Sequence, residues 1–158
     1  MVKRVEHSHL SQCPLACALD ILGDHWSLLL IREMMFEGVH EYKDMLRMVE
    51  GIASNILSDR LKKLEDEKII AAAPHPDSKR RKLYYLTAKG KDLIFVILEF
   101  VRWAAKSIPD RAEIPIDKVA LLECTPEQVA EMVFAQLEQW EKENLKVAIQ
   151  EPSLSPVT

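Results

Sequence analysis

Glycine, cysteine and long apolar runs are scarce in this 158-residue chain, and each shortage excludes a class of protein. Only 4 glycines are present, and stretches of polar and apolar periodicity dominate, which predicts a mostly helical protein. Three cysteines, Cys13, Cys17 and Cys124, do not make a disulfide framework, so we predict a protein of the reducing cytoplasm. No run approaches about 18 uninterrupted apolar residues, and the N-terminal region lacks a signal-peptide pattern, so no membrane partner is predicted.

An overall positive charge is also absent, because the formal net charge is −4. The charges are nevertheless unevenly spread. Residues 51–91 hold 10 Lys and Arg against 5 Asp and Glu, whereas the remainder holds 11 against 20. A basic block inside an acidic chain is typical of a surface that contacts phosphates, and it is equally compatible with a solvated run of charges.

Helical spacing predicts three short helices in the first third of the chain. Pro14 is placed as a first helical residue, and the apolar spacing continues to Leu22. Asp24 is an N-cap for a second helix that Gly38 ends, and a third covers residues 42–48.

The strongest helical pattern covers residues 54–67. Leu57, Leu61 and Leu64 fall on one face, and polar or charged residues occupy the other. Residues 69–73 and 79–86 have the length and composition of strands, and the turn-forming residues 74–78 lie between them, which predicts a β-hairpin.

The second half of the chain is predicted to be helical again. Thr87 caps a long helix over residues 88–107 whose apolar face is too wide for one neighbour, which indicates dimerisation. Prolines interrupt a connecting segment at 109–125. A capping box at Thr125 and Gln128 then opens an amphipathic helix that runs to about Ala148. The predicted organisation is a head with dimerisation helices (1–108), the connecting segment, a helical extension (126–150) and a flexible tail (151–158).

The order of three helices, strand, basic hairpin, strand and long helix is that of a winged helix-turn-helix. The fold class is therefore mainly α with a small β-hairpin, with helical dimerisation elements and a C-terminal helical extension. In this fold the third helix enters the major groove of double-stranded DNA, and the wing reaches the neighbouring minor groove or its phosphates. We predict base contacts from the N-terminal half of the third helix and phosphate contacts from its cations and from the wing. The predicted DNA-binding residues are Ser54, Asn55, Ser58, Asp59, Arg60, Lys62, Lys63, Lys79, Arg80, Arg81 and Lys82.

Each half of this surface also has a plainer interpretation. The third helix taken alone is an ordinary solvated surface helix, and Asp59 either accepts from cytosine or pairs with Lys62 or Lys63. The cations of the hairpin could serve only to prevent an edge strand from pairing with other chains. Four consecutive basic residues, Lys79 to Lys82, favour the wing.

A series of short stretches in the first two thirds of the chain carries a family resemblance: CP at 13–14, ALDILG at 18–23, WSLLLIRE at 26–33, GIA at 51–53, RLKKLE at 60–65 and YYLTAKG at 84–90, with Tyr42, Leu46, Leu57 and Leu93. In these stretches the chain resembles the HxlR-type regulators, a branch of the MarR-like winged-helix proteins, over about residues 13–107. The resemblance implies a homodimer, joined through the N-terminal and long C-terminal helices, that reads an inverted repeat. Three features depart from the family: Asp24-His25 in place of Gly-Lys, a more basic wing tip, and a longer C-terminal part.

Cys13 is the candidate redox sensor of the chain. Family members often carry a cysteine at this N-terminal position, and in some it senses quinones, aldehydes or oxidants. Here the helix start beside Pro14 favours the thiolate, while the plainer interpretation is a small buried hydrophobe. Cys17 and Cys124 are interpreted as structural, and Cys13, Cys17 and His25 have poor spacing for a metal, so neither metal nor cofactor is predicted.

The predicted function is a DNA-binding transcriptional regulator, acting as a repressor, that responds to a small-molecule effector or to thiol oxidation. No set of residues indicates catalysis, so an enzyme is not predicted. The alternative is a protein-interaction module that kept the winged fold without specific DNA binding. The acidic part at 111–158, with 9 acidic and 4 basic residues, and Asp59 on the third helix motivate that alternative.

Overall fold

The computed structural model describes residues 10–145, and their elements follow the predicted order, except that the predicted long helix is divided and the connecting segment contains a short helix. The predicted tail at 151–158 lies outside these residues. The elements are α1 (Pro14–Leu22), α2 (Ser27–Phe36), α3 (Tyr42–Met45), α4 (Ser54–Asp66), β1 (Ile70–His75), β2 (Ser78–Leu86), α5 (Ala88–Lys91), α6 (Ile94–Ser107), α7 (Val119–Glu123) and α8 (Pro126–Asn144). The mainly helical winged helix-turn-helix fold is confirmed.

One buried apolar cluster holds the helices and the base of the hairpin together. Leu57, Leu61 and Leu64 bury the predicted face of α4 against it. Val129 and Leu137 of α8 belong to the same cluster. The C-terminal extension therefore shares its core with the head, and α8 packs against both α2 and α6.

The hairpin is longer and its turn tighter than predicted. Pro74 and His75 belong to β1 and Ser78 to β2, so the turn contains only residues 76–77. The strands pair antiparallel, with Ile70 opposite Leu86 and Pro74 opposite Lys82. Pro74 is tolerated because a two-stranded sheet leaves one edge of each strand without a required N–H donor.

The prediction of one continuous helix over residues 88–107 is wrong. It is divided into α5 and α6 by a turn in which the amide of Leu93 donates to the carbonyl of Gly90 rather than to that of residue 89. Gly90 is buried against the wing base, where an added Cβ would lie 2.1 Å from the carbonyl oxygen of Ile69. Thr87 caps α5 as predicted, since its hydroxyl accepts from the amide of Gly90. The single turn of α5 is thus held against the sheet, and α6 begins after it.

Three smaller boundaries also differ. The third helix ends at Met45 rather than at residue 48, and the stretch at 109–125 that was expected only to connect contains α7. Helix α8 ends at Asn144, and residue 148 lies outside the described range. The capping box is confirmed, because the amide of Gln128 donates to the Thr125 hydroxyl at 3.3 Å and the amide of Thr125 donates to the Gln128 side chain at 2.9 Å.

Candidate nucleic-acid interface

The outward face of α4 is polar at its N-terminal half. Ser54, Asn55, Ser58 and Asp59 are exposed there, and Lys62 is exposed one turn further on. The side chains opposite them are buried in the core. The helix therefore offers hydrogen-bonding groups to a partner while its other face anchors it.

The start of α4 is fixed by α3 through one tyrosine. The Tyr42 hydroxyl donates to the carbonyl of Ser54 at 2.9 Å and lies 3.0 Å from the hydroxyl of Ser58. The Ser58 hydroxyl also donates to the Ser54 carbonyl at 3.0 Å. Two of the predicted base-contacting residues are thus held in place by a side chain of the preceding helix.

Two of the α4 cations that were predicted to contact phosphates are engaged within the protein. Arg60 pairs with Asp24 at 3.1 Å and with its neighbour Asp59. The ammonium of Lys63 donates to the carbonyl of Asp20 at 2.6 Å. Asp59 therefore pairs with Arg60 rather than with Lys62 or Lys63 in this structure. Phosphate contact by Arg60 and Lys63 stays a prediction.

The N-cap residue of α2 is Trp26 and not Asp24 as predicted, but Asp24 lies just before the helix and links it to α4. Its carboxylate accepts from the amides of Trp26 and Ser27 at 2.8 and 2.9 Å, and from the Ser27 hydroxyl. Burial alone would raise the pKa of Asp24, but these hydrogen bonds and the charge of Arg60 hold it below its usual value. The aspartate in place of the family's usual glycine thus accepts from the amides at the start of α2 and pairs with a cation of α4.

The wing divides its four cations into two groups. Lys79, Arg80 and Lys82 are exposed near the tip of the hairpin. Arg81 is exposed as well, but it also forms a bidentate contact with Glu41, in which its Nε and Nη2 donate to the carboxylate at 2.8 and 2.7 Å. Burial would raise the pKa of Glu41, but the hydrogen bonds and charge of Arg81 hold it below its usual value.

Sequence reasoning missed a second contact at the base of the wing. The rings of His40 and Trp140 are stacked, with centroids 3.5 Å apart and planes at 15°. The Nδ1 atom of His40 lies 2.8 Å from the carbonyl oxygen of Tyr84, and the amide of Tyr84 donates to the carbonyl of His40 at 2.8 Å. Helix α8 therefore reaches the wing strand through one buried histidine, and burial lowers the pKa of that histidine. No local pattern indicates a contact across 100 positions.

Cys13 is the N-cap residue of α1 and is exposed, so the buried interpretation of this thiol is wrong in the described chain. Its amide donates to the Ser11 hydroxyl at 3.1 Å. All three cysteines are free thiols. Among residues 10–145, no group of three or more His, Cys, Asp or Glu side chains is placed to hold a metal ion.

Large apolar side chains lie exposed on α6, on the side away from the core. They are Phe95, Val96, Phe100, Val101 and Trp103. Leu15 and Leu19 of α1 are also exposed, and no residue of that apolar helix is buried. Contiguous apolar surface of this kind marks a site of protein association.

The comparisons with known proteins agree with this geometry. Residues 21–112 match the family model described as HxlR-like helix-turn-helix. The chain belongs to the HxlR-like helix-turn-helix family. Such proteins are DNA-binding transcriptional regulators, so the predicted function is confirmed at this level and the interaction-module alternative is not supported.

Named relatives in the HxlR-like family include two HTH-type transcriptional regulators. YodB of Bacillus subtilis is 32% identical over 95 residues, which are 60% of this chain and 84% of YodB. Rv3095 of Mycobacterium tuberculosis is 33% identical over 92 residues, 58% of this chain but only 57% of that protein.

Solved structures of similar proteins show the same fold. PA1607 superposes with a TM-score of 0.61 at 30% identity, covering 71% of this chain and 78% of that one. The reduced form of YodB gives 0.51 at 30% identity, covering 61% and 95%. The redox regulator HypR, in its oxidised form, gives 0.52 at 25% identity, covering 60% and 97%.

In the part of the chain that the structure describes, no one helix has the length and apolar character needed to cross a membrane. Helices α1 and α2 reach that length and apolar character only when they are taken together, and they are bent by 77° at the break between them.

Proposed function

We propose that this protein is a homodimeric repressor that inserts α4 into the major groove of an inverted-repeat operator and applies its wing to the flanking phosphates. The observation that carries the proposal is the polar outward face of α4 beside the cationic wing. Asn55 can pair with adenine through two hydrogen bonds, and the hydroxyl of Ser54 can address several bases. Lys62, Lys79, Arg80 and Lys82 supply the phosphate contacts that fix the register.

The apolar surface supports the homodimer. Helix α1 is rich in apolar residues yet buries none of them, and α6 exposes Phe100 and Trp103 by 58% and 59%. A second copy of the chain would cover such surfaces by two-fold symmetry, which matches one protomer to each half of an inverted repeat. Half-sites separated by one turn of DNA would then present their bases on the same side.

The distribution of charge indicates which side of the protein faces the DNA. The cations of the wing and of α4 lie on the head, whereas α8 carries acidic side chains such as Glu127, Glu131 and Glu138. A polyanion is attracted to the head and repelled by the outer surface of α8. We propose that α8 faces away from the DNA.

Binding to DNA is tested by replacing Lys79, Arg80 and Lys82 together with Ala. The variant should bind every duplex more weakly, and the negative slope of log K against log salt should become shallower by about 0.9 for each phosphate that a protomer no longer neutralises. Lys142→Ala, which removes an exposed cation from α8, is the matched control and should change neither quantity. Equal slopes for the triple variant and the wild type would contradict the proposed interface.

We further propose that oxidation of Cys13 regulates operator binding. The thiol is exposed at the start of α1, a helix that we place in the dimer interface, so a change there can alter the spacing of the two heads. Peroxide would oxidise the thiolate to a sulfenic acid and be reduced to water. Peroxide should weaken operator binding by the wild type and not by Cys13→Ser, while Cys124→Ser should behave as the wild type. Identical responses of the wild type and Cys13→Ser would exclude this role.

A further inference from the structure

The Glu41–Arg81 pair lies between the two elements that are proposed to contact DNA. Both nitrogen donors on one edge of the Arg81 guanidinium contact the Glu41 carboxylate, and the Nε2 atom of His75 lies 2.9 Å from Arg81 Nη2. The side chain of Glu41 is 17% exposed and that of His75 is 11% exposed, so water has little access to the carboxylate and the ring, whereas the Arg81 side chain is 43% exposed. The bidentate geometry orients the planar guanidinium as well as attracting it.

The backbone beside Glu41 is attached to the same strand. Glu41 and Leu83 form an isolated antiparallel bridge, and the neighbouring His40 is bonded to Tyr84 through both its backbone and its ring. Arg81 lies only two positions before Leu83 on β2. The ion pair thus extends the attachment of the wing from its buried base toward its tip.

The next residue, Tyr42, fixes the other element. Its hydroxyl contacts the first turn of α4 at Ser54 and Ser58, as described above. Glu41 and Tyr42 are adjacent, so one short stretch of chain contacts the wing on one side and α4 on the other. The angle between wing and helix depends on both of these attachments.

The contacts of the wing cations, rather than their exposure, separate them. The register of the hairpin shifts between Pro74 and His75, opposite residues 79–81, and Arg80, Arg81 and Lys82 are all exposed, but Arg81 also contacts Glu41. Arg81 lies against a carboxylate whose charge cancels its own. A cation in a bidentate ion pair must break that pair before it can replace a counterion on a phosphate.

We propose that Glu41 is a positioning residue for DNA binding, which holds Arg81 away from the phosphates and sets the angle of the wing relative to α4. The wing then contacts DNA through Lys79, Arg80 and Lys82. This inference rests on the proposed function, because it assigns roles within that same interface.

The test measures binding of a fluorescein-labelled duplex of mixed sequence over a range of salt concentrations. Arg80→Gln should reduce the magnitude of the negative slope of log K against log salt by about 0.9 per protomer, whereas Arg81→Gln should leave it unchanged. Glu41→Gln should increase that magnitude by about 0.9 per protomer, because it releases Arg81 to contact a phosphate. The double variant Glu41→Arg with Arg81→Glu restores an ion pair with reversed charges and should return the slope to the wild-type value, which distinguishes positioning from a general loss of folding.

The possible results separate this inference from the function on which it rests. Equal reductions in the magnitude of the slope for Arg80→Gln and Arg81→Gln, or an unchanged slope for Glu41→Gln, would overturn the role of Glu41 and leave the DNA interface standing. No binding by the wild type even at low salt would overturn the proposed function, and the role of Glu41 with it.

Discussion

Helices α4 and α6 have nearly the same length, 13 and 14 residues, and both bury one side in the same core, yet they present opposite chemistry to solvent. The outward side of α4 carries Asn55, Asp59 and Lys62, while that of α6 carries Phe100 and Trp103. Apolar side chains exposed in a contiguous patch favour another protein surface, whereas polar and cationic ones favour a hydrated polyanion. The two helices therefore use one core to present two surfaces that suit different partners.

The core is the part that the two helices share, and its loss should have the largest effect. Leu57→Ala removes a fully buried side chain of α4, which should lower the free energy of unfolding by about 2–5 kcal/mol. The adjacent Ile56 is 36% exposed, so Ile56→Ala should cost less than about 1 kcal/mol. Urea denaturation of both variants checks this difference. Similar losses would mean that the outward side of α4 is itself packed.

The apolar side of α6 should show the next largest effect, on association rather than on folding. Phe100→Glu places a charge in the proposed dimer interface and should weaken self-association by about 30-fold or more, the equivalent of about 2 kcal/mol. Sedimentation equilibrium measures the dissociation constant. Lys106→Glu, an exposed position on the same helix, should leave it nearly unchanged. A wild type that remains monomeric at high concentration would remove the distinction between the two helices.

His40 joins the wing to α8, and its titration should have the smallest effect. Because burial lowers the pKa of His40 in the folded protein, the unfolded chain binds more protons just below the ordinary histidine pKa of about 6.5. Stability should therefore fall as the pH decreases from about 7.5 to about 5.5, a window that contains this value and lies above the usual titration range of carboxylates. Glu141, which faces the ring, opposes the effect in part and is itself paired with Lys91 at 2.7 Å.

Urea midpoints at the two pH values test this role of His40. The decrease should be smaller in His40→Gln, which keeps a polar side chain near Tyr84 but does not titrate. His25→Gln provides the control for a histidine outside the wing contact. An equal decrease in the wild type and in His40→Gln would show that other groups carry the pH dependence.

The sequence correctly predicted the elements that are determined by residues close together in the chain. Pro14 at a helix start, the spacing of Leu57, Leu61 and Leu64, and the capping box at Thr125 all act within a few residues. These features placed α1, α4 and the start of α8 correctly. The helix predicted over residues 88–107 is two helices in the structure, because Gly90 packs against Ile69. That contact joins two different elements, and the spacing of nearby residues does not indicate it.

In the candidate site, too, some features follow from the sequence and others depend on the fold. Sequence composition identified the cationic wing and the polar face of α4, because charge and periodicity are properties of the chain itself. The partners of individual side chains depended on the fold: Glu41 meets Arg81 across 40 positions, Asp24 meets Arg60 across 36, and Trp140 meets His40 across 100. Side chains so far apart in the chain become neighbours only when the common core brings their elements together, so tertiary structure alone decided which cations are engaged within the protein and which are left exposed at the surface.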